Sequence, residues 1–171
     1  MKISIIGHAA SGKTTLAKKI SQKLGIPHVH LDRFWFESGG LSVQKGNVDR
    51  AEYVQNYIKD KVNEFVFKDD WVSDGFFSKV QPLIADKADY LIFIDIPLHT
   101  RIMNHVKRVF SDERHPELNP MDEFVFIFDI IKRTFTKDHK FRNLIKQYPQ
   151  KLIVLNSYKK VDELLEKVTV L

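Results

Sequence analysis

The stretch Gly7-His8-Ala9-Ala10-Ser11-Gly12-Lys13-Thr14 limits what this chain can fold into more than any other, because its surroundings are as informative as its own residues. Ahead of it, Met1-Lys2-Ile3-Ser4-Ile5-Ile6 is a short β-branched run of the kind found in strands buried on both faces. Behind it, Leu16, Ala17, Ile20 and Leu24 recur at helical spacing, Lys18, Lys19, Gln22 and Lys23 take the wet face, and Gly25 followed by Pro27 ends the helix. A strand, a glycine turn and a helix in that order bring main-chain N–H groups and the positive end of the helix to one point, where dipoles already in place hold an oxyanion. Every fixed position of G-x-x-x-x-G-K-[ST] is satisfied, which predicts a phosphate-binding loop.

The residue types follow from the chemistry. Gly7 and Gly12 let the backbone turn inward, Lys13 reaches the β- and γ-phosphates, and the Thr14 hydroxyl sits on Mg²⁺. The expected nucleotide-binding set runs through Gly7, His8, Ala9, Ala10, Ser11, Gly12, Lys13, Thr14 and Thr15.

Beyond this stretch the chain alternates strand and helix, the signature of an α/β fold with a parallel sheet. The expectation is a three-layer P-loop NTPase fold, a five-stranded parallel sheet with helices on both faces. Strands are predicted at Ile3 to Ile6, His28 to Leu31, Trp71 to Ser73, Tyr90 to Ile96 and Leu152 to Leu155. Helices are predicted at about 13 to 24, 50 to 66, 79 to 86, 98 to 110, 120 to 147 and 159 to 168. Asp49-Arg50-Ala51-Glu52 has capping-box spacing, and Asn119-Pro120 reads as a cap followed by proline at the first helical position. The Gly39-Gly40 to Gly46 stretch and Ser111 to Asn119 read as mobile loops. At 171 residues the chain is expected to form one domain, 1–171, with a short lid at about 108–120.

Composition narrows the classes. With no cysteine, a disulfide framework and cysteine-bound metals are excluded, in keeping with a reducing cytoplasm. The N-terminus enters the glycine turn after six residues, which predicts no signal peptide, and no run approaches a membrane span. The 27 basic residues against 22 acidic ones read either as a lysine-rich solvated surface or as attraction for a polyanion, nucleotide or nucleic acid. The expected assembly is a monomer or a homodimer.

In an open parallel sheet, ligands bind beyond the carboxyl ends of the strands, so residues there carry the functional expectations. His28-Val29-His30-Leu31-Asp32 closes the second strand, and Asp32 reads either as a proton acceptor or Mg²⁺-side group, or as a cap for the next segment. Phe34, Trp35 and Phe36 either wall an acceptor pocket or enter the core, and His30 reads as a packed strand histidine. Asp74, in Trp71-Val72-Ser73-Asp74-Gly75-Phe76, is placed as the acid that holds Mg²⁺, directly or through water. Phosphoryl transfer spreads charge over the equatorial oxygens, and Arg108, Arg114 and Arg133 are the arginines expected to stabilise it from the lid and the helix after it.

Gly7 to Thr14, His30-Leu31-Asp32, Trp71 to Phe76 and Ala88-Asp89-Tyr90-Leu91-Ile92-Phe93-Ile94-Asp95-Ile96-Pro97 together resemble the adenylate-kinase-related P-loop proteins, closest to the FlaR-like "DNA topology modulation protein" branch. The resemblance covers nearly the whole chain. It implies ATP and Mg²⁺ as cofactors, Asp32 and its aromatic neighbours on the acceptor side, and Ser157, in Asn156-Ser157-Tyr158, near the adenine. Where adenylate kinases follow Asp-Gly-Phe with Pro-Arg, this chain has Phe77-Ser78-Lys79, and a lysine there is only a point charge. The expected activity is transfer of the γ-phosphoryl of Mg-ATP to a small acceptor, a nucleoside, nucleotide or hydroxyl compound. The alternative is a nucleotide-dependent ATPase acting as a nucleic-acid-associated regulator. No Asn-Lys-x-Asp sequence reads guanine, and no helix-turn-helix is evident.

Overall fold

Strand β1 (Lys2–Gly7) lies at the centre of the sheet, and its alternating side chains divide the core in two. Ile3 and Ile5 face one side; Ser4 and Ile6 face the other. The structure, a computed structural model, describes residues 1–44, 46, 48–109 and 120–168, with the side chains of 44, 48, 108, 109, 120–126, 129 and 137 also left aside. The expected lid at 108–120, with Arg114, the Arg108 side chain and the Asn119 cap, therefore falls outside the described residues.

The remaining strands are β2 (His28–His30), β3 (Trp71–Asp74), β4 (Tyr90–Ile94) and β5 (Leu152–Leu155). They form a five-stranded sheet in the order β2-β3-β1-β4-β5, with every pairing parallel. Helix α1 (Lys13–Leu24) and helix α8 (Tyr158–Lys167) cover one face, where Leu16, Ala17, Ile20 and Leu164 pack on Ile3, Ile5, Ile92 and Ile94. Each such aliphatic side chain, once buried, contributes about 1.5–3 kcal/mol. The opposite face is covered by α4 (Ala51–Val66), α5 (Gln81–Lys87) and α7 (Pro120–Ile145), with Phe141 and Leu144 of α7 against Ile6, Leu91 and Phe93. Helix α6 (Leu98–Val109) packs against α7. The three-layer α/β architecture expected from the alternating pattern is what forms.

Local differences have local causes. Strand β2 stops at His30, and α2 (Leu31–Glu37) starts at once where no helix was expected. Leu31, Phe34 and Trp35 lie at helical spacing and pack against Val54, Ile58 and Phe65 of α4, so a seven-residue helix forms on tertiary contacts. The stretch read as a loop from Gly39 contains α3 (Gly40–Gln44). The capping box at Asp49 does not form: Val48–Arg50 is a 3₁₀ turn that runs into α4, whose first residue is preceded by Arg50 with no side-chain cap. Among the described residues, no helix is long and apolar enough to cross a membrane.

The topology aims these parts. Since β1 has β3 on one side and β4 on the other, the connection leaving β1 and the one leaving β3 diverge, and a crevice opens at their carboxyl ends. Gly7 and Asp74 both lie there.

Candidate phosphate-binding and catalytic site

Three consecutive demands on the backbone shape the turn after β1. Gly7 has φ 150°, Ala10 φ 59° and Gly12 φ 90°. A Cβ on Gly7 would lie 2.5 Å from the Ile94 carbonyl oxygen of β4, so the first glycine is required by close strand packing as well as by its dihedral. Gly12 serves as the N-cap of α1 with no side chain on the exposed amides, and α1 therefore presents bare N–H groups to the crevice. The Ser11 hydroxyl is buried and, among the described residues, has no hydrogen-bond partner. Lys13 Nζ reaches back across the turn and donates to the His8 carbonyl at 2.7 Å. Thr15 is exposed on the first turn of α1. This donor set, a turn with a glycine at each end, uncapped amides and an ammonium, is complementary to a phosphate oxyanion.

Asp74 closes the site from β3. Its carboxylate is 1 % exposed, and Thr14 Oγ1 donates to Oδ2 at 2.5 Å. The other oxygen, Oδ1, is shared by His28 Nε2 at 2.6 Å and His30 Nδ1 at 3.0 Å. Burial alone would raise its pKa, but the hydrogen bonds from His28, His30 and Thr14 outweigh it and hold the carboxyl well below the ordinary carboxylate range. For His30, burial works against the charged form, and the hydrogen bond and charge of Asp74 reverse that, so its pKa is raised. His30 is thus a partner of the buried acid and not a packed strand histidine. Thr14 and Asp74 together offer two hard oxygen donors, the kind Mg²⁺ takes.

Asp32 lies in the first turn of α2, exposed, at the end of β2. Gly75 makes this approach possible: its absent Cβ would stand 2.9 Å from Leu31 Cβ and 3.7 Å from the Asp32 amide. Phe34 and Trp35 pack on the α4 core cluster, Phe34 also borders a cleft with His28 and His30, and Phe36 meets Trp35 edge to face at 5.0 Å. Lys79, in the place of the adenylate-kinase arginine, hydrogen-bonds Gln55 of α4.

On the other side of the turn, Ser157 is committed to capping α8, its hydroxyl accepting from the Lys160 amide at 3.4 Å. The neighbouring Tyr158 ring borders Gly12, and its hydroxyl pairs with Asn104 of α6. Arg133 is half-buried on α7.

Two supports of the turn were not legible as such. Arg101 of α6, 2 % exposed, donates to the Ile96 carbonyl at 2.9 Å, the Ala9 carbonyl at 3.4 Å and Thr134 Oγ1 of α7 at 3.0 Å, tying the turn to both helices. His8 pairs through Nε2 with Asp138 of α7 at 3.3 Å and lies edge-on to Phe141. Burial, together with the Arg101 charge, lowers its pKa despite Asp138. Neither set of partners has a signal in the sequence, since Thr134 and Asp138 come into place only as α7 docks.

Known proteins are similar to this chain in sequence and in fold. The family described as an AAA domain is matched over residues 6–119. The adenylate kinase of Thermosynechococcus vestitus is 28% identical over 170 residues, covering 86% of this chain and 84% of that protein. The adenylate kinase of Clostridium acetobutylicum is 30% identical over 144 residues, 70% of this chain and 66% of that one. Among solved structures, the shikimate kinase of Bacteroides thetaiotaomicron superposes with a TM-score of 0.62 at 16% identity, over 98% of this chain and 96% of that chain. Shikimate kinase from Acinetobacter baumannii in complex with shikimate gives 0.58 at 17%, over 98% and 90%. These matches carry the P-loop kinase fold; the FlaR-like branch is not among them.

Proposed function

Because the chain belongs to the AAA domain family and has the fold of small P-loop kinases, we propose that it is a phosphotransferase moving the γ-phosphoryl of ATP to a small acceptor, a nucleoside, nucleotide or hydroxyl compound. The observation that carries this reading is the Thr14–Asp74 hydrogen bond, which joins the end of the phosphate cradle to a buried acid on the neighbouring strand. A kinase needs those two oxygens side by side, and a bare phosphate-binding turn does not. The relatives are kinases, which does not favour the nucleic-acid-associated regulator.

In this reading Gly7 to Thr15 cradle the phosphates and Lys13 neutralises charge on the β- and γ-oxygens. Thr14 and Asp74 would hold Mg²⁺, which when bound offsets charge on the transferring group. Asp32, at the mouth of the crevice, accepts the proton of the acceptor hydroxyl as its oxygen bonds to phosphorus and the β–γ bridge breaks, leaving ADP. Arg133, with Arg108 and Arg114 from the proposed lid, supplies positive charge to the equatorial oxygens. Tyr158 and Ser157 border the nucleoside end. The assembly is a monomer or homodimer, and the compartment the cytoplasm.

The test is ADP release from Mg-ATP by the wild type and Lys13→Ala, alone and with a panel of nucleosides, nucleoside monophosphates and small hydroxy acids. One acceptor should stimulate the wild type strongly and the variant not at all. Turnover that no small molecule raises, or full activity in Lys13→Ala, would end the proposal.

A further inference from the structure

Asp74 uses only one of its oxygens toward the phosphate-binding turn. The other faces two imidazole nitrogens, and its surroundings are those of a different kind of site. His28 and His30 alternate along β2, so both rings emerge on one side of the strand, and the parallel register places His30 opposite Asp74. His28 Nε2 and His30 Nδ1 both approach Asp74 Oδ1, at 2.6 and 3.0 Å, and the three ligand atoms lie within 4.8 Å of one another.

A second observation concerns access. The two histidines line a cleft of about 590 Å³ at the edge of the sheet, bordered by Thr14, Lys18, Phe34 and Glu64. The histidine side chains are 16 % and 34 % exposed while Asp74 is 1 % exposed, so an ion can enter from the cleft with the carboxylate beneath it and water above it. The cleft wall carries the Arg33–Glu37 and Lys61–Glu64 pairs, at 2.6 and 2.7 Å, together with Lys18 and Lys68, and the buried Asp74 carboxylate supplies the charge that draws an ion in.

We propose that His28, His30 and Asp74 Oδ1 form a binding site for a divalent transition-metal ion of the zinc, cobalt and nickel class. Two imidazole nitrogens with one carboxylate oxygen, and open positions toward solvent, are a donor set these ions favour, whereas Mg²⁺ and Ca²⁺ select oxygens. Tetrahedral bonds of 2.0–2.1 Å place donor atoms about 3.3 Å apart, so the 2.6 and 3.0 Å spacings to Oδ1 open by about 0.7 and 0.3 Å as the ion replaces the hydrogens now shared between nitrogen and oxygen. Asp74 then bridges two functions, with Oδ2 serving Thr14 and Oδ1 serving this ion.

The site does not depend on the kinase reading, and it is measured without nucleotide. Chelator-treated, untagged protein is titrated with Zn²⁺ by calorimetry and with Co²⁺ by visible absorption. The comparison variants are His28→Gln and His30→Asn, whose amide nitrogens stand near the imidazole nitrogens they replace, keep a donor on Asp74 and remove the metal ligand. The wild type should take up one Zn²⁺ per chain at micromolar affinity or tighter and develop cobalt ligand-field bands. Each variant should bind at least about 100-fold more weakly, beyond the usual cost of an outer-shell change, while melting as the wild type does in chelator. No uptake by the wild type, or uptake that survives both substitutions, would overturn the assignment.

Discussion

Thr14 and Asp74, sixty residues apart in sequence, meet through a 2.5 Å hydrogen bond that spans from the first turn of α1 to the end of β3. The hydroxyl fixes one carboxylate oxygen, and the histidines of β2 fix the other, so the acid has no freedom to rotate. Because this carboxylate is ionised and oriented before any ligand arrives, its charge is the quantity to remove. Asp74→Asn should lower ATP turnover by about 100-fold, within the range seen when one preorganised electrostatic group is lost, and steady-state kinetics with Mg-ATP checks it. An unchanged rate would take Asp74 out of the proposed site.

Gly7 is held at a dihedral few side chains adopt and against the Ile94 carbonyl. Gly7→Ala should therefore destabilise the fold by about 2 kcal/mol or more, read as a lower urea midpoint, because β1 must separate from β4 to admit the methyl group.

Arg101, itself buried, donates to the Ile96 and Ala9 carbonyls and to Thr134. Arg101→Met keeps much of the volume and removes every donor. The expected cost is about 2–3 kcal/mol, again by urea unfolding. A neutral result would show that the Ala9 and Ile96 carbonyls find other partners.

His8 gives a pH dependence with a definite sign. Its folded pKa lies below the unfolded value of about 6.5, so the unfolded chain binds the proton more readily and folding is penalised on acidification. Its contribution is fully present above about pH 6.5 and is lost as pH falls through the lowered folded pKa. Unfolding free energies measured from pH 8 to 5 should decline more steeply for the wild type than for His8→Gln, which keeps a side-chain amide toward Asp138. Parallel curves would contradict the assignment.

The strand-turn-helix from Lys2 to Leu24 was legible because everything that shapes it is local: glycines at the required dihedrals, an apolar stripe on α1 and a glycine at its end. Asp74 was legible for a related reason, as an acid at the end of a buried strand. Helix α2 was not, since Leu31 to Glu37 is too short to stand without α4 beneath Phe34 and Trp35. The Gly39 to Gly46 stretch misled in the same way, with Gly40–Gln44 becoming helical between α2 and α4. The capping spacing at Asp49 was outcompeted by a 3₁₀ turn, which meets the helix start with backbone alone.

By itself, the sequence determined the alternation of strands and helices, the phosphate-binding turn and the order in which acids follow buried strands, because short-range spacing encodes each of them. Tertiary structure alone decided which groups share Asp74. His28 and His30 reach it through the parallel register of β2 on β3, and Thr14 reaches it because β3 lies beside β1 in the sheet. Those neighbours are set by packing across the sheet, and no spacing along the chain records them.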